Sequence, residues 1–200
     1  MTQKKKRVPA EERKIQILKS AVTVFARSNY RTARMSDIAS EVGISEAMIY
    51  KYFPSKKVIY LKILQFMSDR IISFWQQEFD KNDDAWAVLK TISVAYYNRM
   101  ILHPEELKVH FQAFSEVDDE DVAGCLREGH IKYIDFIKRI IEKGIEQSGS
   151  ESEFKPEVLA LIYDGGGIAV NMMKLLSIND KLAEKDIEKI VDTFISLIKG

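Results

Sequence analysis

Apolar residues recur three and four positions apart along most of the chain, and this spacing limits the fold more than any other feature of the sequence. Within residues 11–27, for example, Ile15, Leu18, Val22 and Phe25 fall on one face of a helix. Sustained alternation of apolar and polar residues between turn signals, which would indicate half-buried strands, does not occur. The sequence therefore predicts an all-α protein.

The ends of the helices can be read from residues that cap or break them. Ser45 and Ser55 are suited to cap the helices that follow them, and Pro54 disfavours the helical conformation in the residue before it. With such signals the sequence predicts helices over residues 11–27, 34–42, 46–53, 56–80, 85–101, 104–114, 122–147, 155–176 and 182–198. We expect the acidic run 116–121 to cap the helix that follows it rather than to bind a metal.

The composition is that of a soluble globular chain of one or two domains, since 46% of the 200 residues are hydrophobic and 30% are charged. Cys125, the one cysteine, excludes an intramolecular disulfide and a cysteine-based zinc site. No run of about 18 apolar residues is present, and the basic N-terminus leads into no apolar segment. We therefore expect a cytoplasmic protein without a transmembrane helix, a membrane partner or a signal peptide.

The net charge of zero hides a strong asymmetry along the chain. Residues 1–60 hold 13 Lys and Arg against 5 Asp and Glu, whereas the remaining residues hold 17 against 25. This pattern indicates a polyanion-binding module joined to an acidic remainder, although chance clustering on a solvated face would look the same. We place the boundary near Pro54–Lys57 and predict domains over residues 1–56, with a basic N-terminal arm, and 57–200.

The predicted helices 34–42 and 46–53 are joined by the short turn Gly43-Ile44-Ser45, which is the pattern of a helix-turn-helix. In that motif the second helix enters the major groove of DNA. An ordinary helical hairpin would look alike, but the basic charge of this segment favours DNA. The small core beneath the motif is predicted to contain Ile38, Val42, Ile44, Ile49 and Phe53.

The segment from Arg13 to Leu64 resembles the DNA-binding region of TetR-type transcriptional regulators. The residues that carry the resemblance follow the family spacing without a gap: Ile17-Leu18, Phe25, Asp37-Ile38-Ala39, Gly43-Ile44-Ser45, Ile49-Tyr50 and Phe53-Pro54-Ser55-Lys56. The rest of the chain is similar to the family only in the number and order of its helices. This resemblance implies a three-helix DNA-binding head followed by a helical ligand-binding and dimerisation domain.

The resemblance also implies which residues contact DNA. The positions that match the family's DNA contacts are Arg34, Ser36, Ser45, Glu46, Ala47, Met48, Tyr50, Lys51, Tyr52 and Lys56. Asn29 stands where the family usually has Gly, and Ala33 stands where a Thr commonly contacts a phosphate, so Arg34 is a candidate replacement. Glu46 either accepts a hydrogen bond from cytosine or acts only as a charge at the helix N-terminus.

Large adaptable side chains in the second half suggest an apolar pocket between helices, although most such residues form the core of any helical domain. The candidate ligand-binding residues are Phe66, Trp75, Tyr96, Tyr97, Met100, Phe111, Phe114, Tyr133, Phe136 and Tyr163. We predict that the last two helices form a dimer interface through their apolar stripes. On the last helix, which is strongly amphipathic, the predicted interface residues are Ile187, Ile190, Val191, Phe194, Ile195 and Ile198. Gly165-Gly166-Gly167 within a predicted helix indicates a kink or a close helix approach, and we favour the close approach.

No catalytic constellation, phosphate-binding loop or metal-ligand spacing stands out, so we predict neither an enzyme nor a bound cofactor or metal. The resemblance implies a homodimeric repressor that binds near-palindromic operator DNA and is released by a small molecule. We expect that effector to be largely apolar. The alternative is a helix-turn-helix protein of the same fold that takes no effector and acts through a protein partner or DNA organisation.

Overall fold

The computed structural model describes residues 8–178 and 181–199, and all regular structure in these ranges is helical, as predicted. The elements are α1 (Ala10–Thr32), α2 (Met35–Val42), α3 (Glu46–Tyr50), α4 (Lys56–Lys81), α5 (Ala85–Leu102), α6 (Pro104–Ala113), a single 3-10 turn (Phe114–Glu116), α7 (Glu120–Ser148), α8 (Pro156–Leu175) and α9 (Glu184–Lys199). The expected basic arm at residues 4–7 lies outside the described ranges.

The N-terminal head is built from α1, α2, α3 and the start of α4 around a small apolar core. Phe25, Ile38, Ile49 and Ile59 are fully buried in this core. Asn29 adopts a φ of 59° and a ψ of 172° near the end of α1, a backbone conformation that is ordinarily confined to Gly. Asn29 therefore takes a backbone conformation suited to the Gly that the resemblance leads us to expect at this position.

The C-terminal domain consists of α5 to α9 packed around the second half of α4. α7 packs against α4, α5 and α8, whereas α9 packs against α5. The approach of α7 to α5 is so close at Gly144 that an added Cβ atom would lie 2.5 Å from the ring of Trp86. This packing leaves a cavity between α8 and α9 on one side and α4, α5 and α7 on the other.

Head and C-terminal domain are joined by more than the shared helix α4. α1 packs against α6, and the carboxylates that precede and begin α7 form ion pairs with the head. Arg31 pairs with Glu116 at 2.9 Å, and Lys57 pairs with Asp119 at 2.8 Å and with Asp121 at 2.5 Å. Asp119 also caps α7, as expected of the acidic run, and the same run holds the two domains together.

By length and apolar composition alone, helix α8 would suffice to cross a membrane, although the sequence predicts no transmembrane helix. Only 17% of its apolar window is buried inside the protein. Length and composition alone are weak grounds for a membrane span, and Asp164 lies in the middle of the helix. What the structure establishes is a long apolar helix with one face uncovered in the single chain.

Candidate DNA-binding surface, effector cavity and dimer face

The turn between α2 and α3 is fixed by local backbone interactions. Gly43 has a left-handed φ of 76°, which a residue with a side chain rarely adopts. Ser45 then caps α3, because its Oγ accepts a hydrogen bond from the backbone N–H of Met48 at 3.3 Å. At the start of α2, the N–H of Arg34 donates to Asp37 Oδ2 at 2.8 Å. These interactions set the angle between α2 and α3 within the head.

The outward face of the motif carries most of the predicted DNA contacts. Ile49 points into the core, whereas Tyr50 is 48% exposed on the opposite side of α3. Met48 and Tyr52 are half-buried at the edge of this face. The remaining predicted contacts except Lys56 are exposed: Arg34, Ser36, Ser45, Glu46, Ala47 and Lys51.

Lys56 contacts the backbone of the protein, whereas the resemblance predicts that it contacts DNA. Its Nζ donates to the backbone carbonyl oxygens of Tyr30 at 2.6 Å, Ala33 at 2.8 Å and Arg31 at 3.2 Å. It also lies over the Tyr30 ring, 4.6 Å from the centroid, and burial lowers its pKa. Carbonyl groups at the end of a helix need such donors, so Lys56 stabilises the junction of α1, α2 and α4.

A largely apolar cavity of about 350 Å³ lies in the C-terminal domain, at the lower end of the size range of small-molecule sites. Six of the ten predicted ligand-binding residues line it: Trp75, Tyr96, Tyr97, Met100, Tyr133 and Tyr163. The cavity reaches the surface between α8 and α9, where Ile162 and Ile190 are about half-exposed and Leu197 is almost fully exposed.

The other four predicted ligand-binding residues lie outside the cavity. Phe136 is buried in the core beside Trp75, with 5.7 Å between the ring centroids. Phe66 and Phe114 are more than half exposed, and Phe111 contacts Phe114 at the end of α6. The sequence showed that these residues are large and aromatic, but their direction depends on how the helices pack.

Three of the tyrosine hydroxyl groups around the cavity have hydrogen-bond partners within the protein. Tyr97 donates to the carbonyl oxygen of Leu182 at 2.7 Å, and Tyr163 shares a hydrogen bond with Ser93. The hydroxyl of Tyr96 accepts from Asn171 Nδ2 at 3.1 Å. Burial raises the pKa of Tyr163 to about 12, so this hydroxyl stays neutral near neutral pH.

Asp164 and Asn171 are cavity residues that the sequence analysis did not single out. Both lie on the inner face of α8, and Gly167 lies between them on that face. Asp164 Oδ2 is 3.4 Å from His130 Nε2; burial raises the pKa of the carboxyl group, and the charge of His130 opposes this shift. The signal that could have identified them is the presence of polar groups at helical spacing within an otherwise apolar helix.

A second, smaller cavity of about 50 Å³ lies beside the first and shares the walls formed by Tyr96 and Tyr133. Its charged wall is a network in which Glu106 binds Arg70 at 2.6 Å and Arg99 at 2.9 Å. Burial alone would raise the pKa of Glu106, but hydrogen bonds and charge from both guanidinium groups outweigh burial and lower it. These cations therefore face a carboxylate of the protein and not the larger cavity.

The expected dimer face on α9 is mostly wrong. Ile187, Val191, Ile195 and Ile198 are buried within the chain, where α9 packs against α5, and Phe194 contacts Tyr163. The uncovered apolar surface lies on α8 and on the part of α9 beside the cavity mouth, and it consists of Val158, Leu161, Ile162, Ile168, Met172, Ile190 and Leu197.

The three glycines of α8 lie in a continuous helix without a kink. The expected close approach is not made by the described part of this chain, because a Cβ atom added at Gly165, Gly166 or Gly167 would meet nothing within 4 Å. Burial, and next to it the charge of His130, lowers the pKa of His110. No three His, Cys, Asp or Glu side chains within residues 8–178 and 181–199 are grouped as a metal site would require.

Comparison with known proteins agrees with this arrangement. Residues 17–63 match the family described as bacterial regulatory proteins, tetR family. The HTH-type transcriptional activator FasR of Mycolicibacterium smegmatis is 33% identical over 92 residues, covering 46% of this chain and 42% of FasR. YuxN of Bacillus subtilis, an uncharacterized HTH-type transcriptional regulator, is 25% identical over 157 residues, covering 76% and 54%. The chain thus spans about half the length of these two relatives.

Among solved structures, the transcriptional regulator FadR from Bacillus subtilis in complex with stearoyl-CoA superposes with a TM-score of 0.74. The superposition covers 93% of this chain and 97% of that one at 16% identity, and it shows a shared fold. In its helix-turn-helix head on an all-helical domain, the chain is similar to DNA-binding transcriptional regulators. Residues 17–63 therefore form a tetR-family segment, and the chain shares its fold with a TetR-like transcriptional regulator from Rhodococcus, with a TM-score of 0.76 at 19% identity.

Proposed function

We propose that the protein is a repressor that binds near-palindromic operator DNA as a homodimer and leaves it when a largely apolar molecule fills the cavity. The observation that carries this proposal is that one helix, α4, belongs to both sites. Ile59 and Tyr60 of α4 lie in the core of the head, whereas Ile71 and Trp75 line the cavity. A rigid helix rises about 1.5 Å per residue, so it links the two sites over roughly 20 Å.

The exposed face of α3 is proposed to read the major groove, with Arg34 and Ser36 of the preceding turn and helix at the phosphates. Glu46 and Lys51 are the candidates for base contacts, and Tyr50 for a phosphate contact. In a two-fold dimer the two recognition helices must lie one duplex turn apart, roughly 34–36 Å. Any change in the tilt of α4 alters this distance.

The uncovered apolar surface of α8 and α9 is proposed as the dimer interface. An apolar patch of this kind is unusual on a monomer, and two-fold symmetry would make it self-complementary. Gly165 lies within this patch and would allow the partner's helix to approach closely. Because the cavity opens between α8 and α9, a second copy of the chain would also cover its mouth.

The switch requires an effector that prefers one arrangement of the helices over another. A preference of about 1–3 kcal/mol would change the operator affinity by roughly 5- to 150-fold. Movement can reach the head through α4 and through the ion pairs of Glu116, Asp119 and Asp121 with Arg31 and Lys57. The alternative, a regulator that acts through a protein partner and takes no effector, leaves the cavity without a role.

The experiment that tests the proposal begins with the full-length protein and an operator selected from random duplexes. Fluorescence anisotropy then follows operator binding as four probes are added in turn: 1-decanol, decylamine, decanoate and stearoyl-CoA, the last because the related FadR binds it. Release of the operator by any of them supports an effector-controlled repressor. If all four leave operator affinity unchanged although at least one binds the protein, the alternative is favoured. Tighter operator binding on addition of a probe would instead indicate that the effector promotes DNA binding.

A further inference from the structure

The inner face of α8 gives the cavity a polar strip that bears on the chemistry of the effector. Asp164, Gly167 and Asn171 share this face and all line the cavity. A Cβ atom at Gly167 would meet nothing within 4 Å, so a ligand can lie directly against the helix backbone there. A molecule in that position has Asp164 on one side and Asn171 on the other.

At this position, Asn171 has a hydrogen-bond acceptor without a donor. The residue is only 6% exposed, and its Nδ2 is used by the hydroxyl of Tyr96. Its Oδ1 is buried and has no partner among the described residues. A buried acceptor without a donor is unfavourable, so a ligand that supplies an N–H or O–H group to Asn171 gains a contact that the empty cavity lacks.

The charged groups of the cavity wall also favour a ligand without a negative charge. Among the described residues that line it, none is Lys, Arg or His, and the one carboxylic acid is Asp164. A carboxylate or phosphate brought into this cavity would lose its hydration without gaining a counterion, and Asp164 would repel it. Arg70 and Arg99 are engaged by Glu106 in the neighbouring small cavity, and His130, which does not line the larger cavity, lies 3.4 Å from Asp164.

We infer that the cavity selects a neutral or cationic apolar molecule that carries a hydrogen-bond donor, an alcohol or amine, and rejects the carboxylate of the same chain length. The donor lies between Asp164 and Asn171, and the hydrocarbon part contacts the aromatic wall formed by Trp75, Tyr96 and Tyr133. The inference rests on the proposed effector site and names the class of its ligand. Anionic head groups, including that of an acyl-CoA, have to stay outside the cavity mouth.

The test compares 1-decanol, decylamine and decanoate by calorimetric titration of the full-length protein. The chain length is constant, so differences in affinity report the head group. We expect decanol and decylamine to bind at least about tenfold more tightly than decanoate, because an unpaired buried charge is costly. Decanoate binding as tightly as decanol, or none of the three binding, would overturn the inference.

Variants assign the effect to the named residues. Asp164→Asn should weaken decylamine by about three- to tenfold and leave decanol nearly unchanged, since only the amine is charged. Asn171→Leu should weaken both ligands, and Gly167→Leu should weaken all binding by filling the space beside the helix. Asp192→Asn is the matched control, because it removes an acid from α9 that pairs with Lys90 and does not line the cavity.

Two outcomes would contradict these assignments: an unchanged amine-to-alcohol ratio in Asp164→Asn, or the same change in Asp192→Asn. Circular dichroism of each variant checks that the helical fold is intact. The operator assay keeps the two proposals distinguishable. Decanol that binds without releasing operator contradicts the repressor and leaves the ligand class standing, whereas release by decanoate alone supports the repressor and contradicts the ligand class.

Discussion

Arg31 and Glu116 are 85 residues apart in the sequence, yet they form a salt bridge between the DNA-binding head and the C-terminal domain, in which one guanidinium nitrogen contacts both carboxylate oxygens. Arg31 Nε lies 2.9 Å from one carboxylate oxygen and 3.0 Å from the other, and Nη2 donates to the carbonyl oxygen of Ser115 at 3.3 Å. The contact ties the end of α1 to the segment between α6 and α7. The head therefore has a second attachment to the domain that holds the cavity, besides α4.

We predict that Glu116→Gln weakens the coupling between cavity and operator without abolishing either binding event. The substitution removes the charge of the salt bridge but leaves both sites untouched. The measurement is the ratio of operator affinities with and without saturating effector, which should fall several-fold toward unity. Glu120→Gln is the control, because Glu120 pairs with Arg127 on α7 and does not contact the head. An undiminished ratio in Glu116→Gln would show that this salt bridge does not carry the signal.

Lys56→Ala should lower the stability of the protein and leave the salt dependence of DNA binding nearly unchanged. Lys56 donates to three carbonyl groups, but it is only partly buried, so a loss of about 1 kcal/mol is expected in urea unfolding. Tyr50→Ala is the companion variant, which should weaken binding to all duplexes while stability is kept. A salt slope reduced by about one per subunit in Lys56→Ala would instead place this lysine at a phosphate.

Leu161→Asp should produce a monomer in analytical ultracentrifugation, since Leu161 is 62% exposed in the uncovered apolar surface of α8. Ile195→Asp should instead unfold the C-terminal domain, because Ile195 is buried against α5. Leu102→Asp introduces the same charge at a site that is 72% exposed and outside the proposed interface, and it should stay dimeric. A wild-type monomer at micromolar concentration, or a dimer that tolerates Leu161→Asp, would disprove this interface.

Glu106 should make the stability of the protein depend on acid pH. Its pKa in the folded protein lies below the ordinary value of 4.5, so its stabilising effect is complete above that value and disappears as the pH falls through the folded pKa. Glu106→Gln should cost about 1–2 kcal/mol in urea unfolding at pH 7, because two partly buried guanidinium groups lose their partner. At a pH below the folded pKa, the difference between wild type and variant should shrink. A difference that is constant with pH would mean that the charge of Glu106 contributes nothing.

The sequence predicted the head better than it predicted the sites of the C-terminal domain, and the reason is physical. The positions of Gly43, Ser45 and Ile49 are set by turn and helix geometry within a short segment, so local pattern suffices. An amphipathic pattern on α9 shows that one face is apolar but does not show what covers it. Ile195 was therefore assigned to a dimer interface, although it packs against α5 in the same chain.

The same limit applies to the prediction of the residues that line the cavity. Aromatic size identified Trp75 and Tyr96 as candidates, but it also selected Phe66, which is more than half exposed. Asp164 and Asn171 were missed because a polar residue in a helix is ordinarily solvated. Their role as candidates follows only from the inward orientation of one face of α8, which depends on the packing of α8 against α7.

The most direct test of the account is the reciprocity of effector and operator binding. If an effector weakens operator binding by some factor, operator DNA must weaken effector binding by the same factor. Decanol is titrated calorimetrically into the full-length protein, first alone and then saturated with the selected operator. The account predicts a loss of decanol affinity in the complex that equals the loss of operator affinity caused by decanol. Equal decanol affinity in the two titrations would show that the cavity and the DNA-binding face are not coupled, and would contradict an effector-controlled repressor.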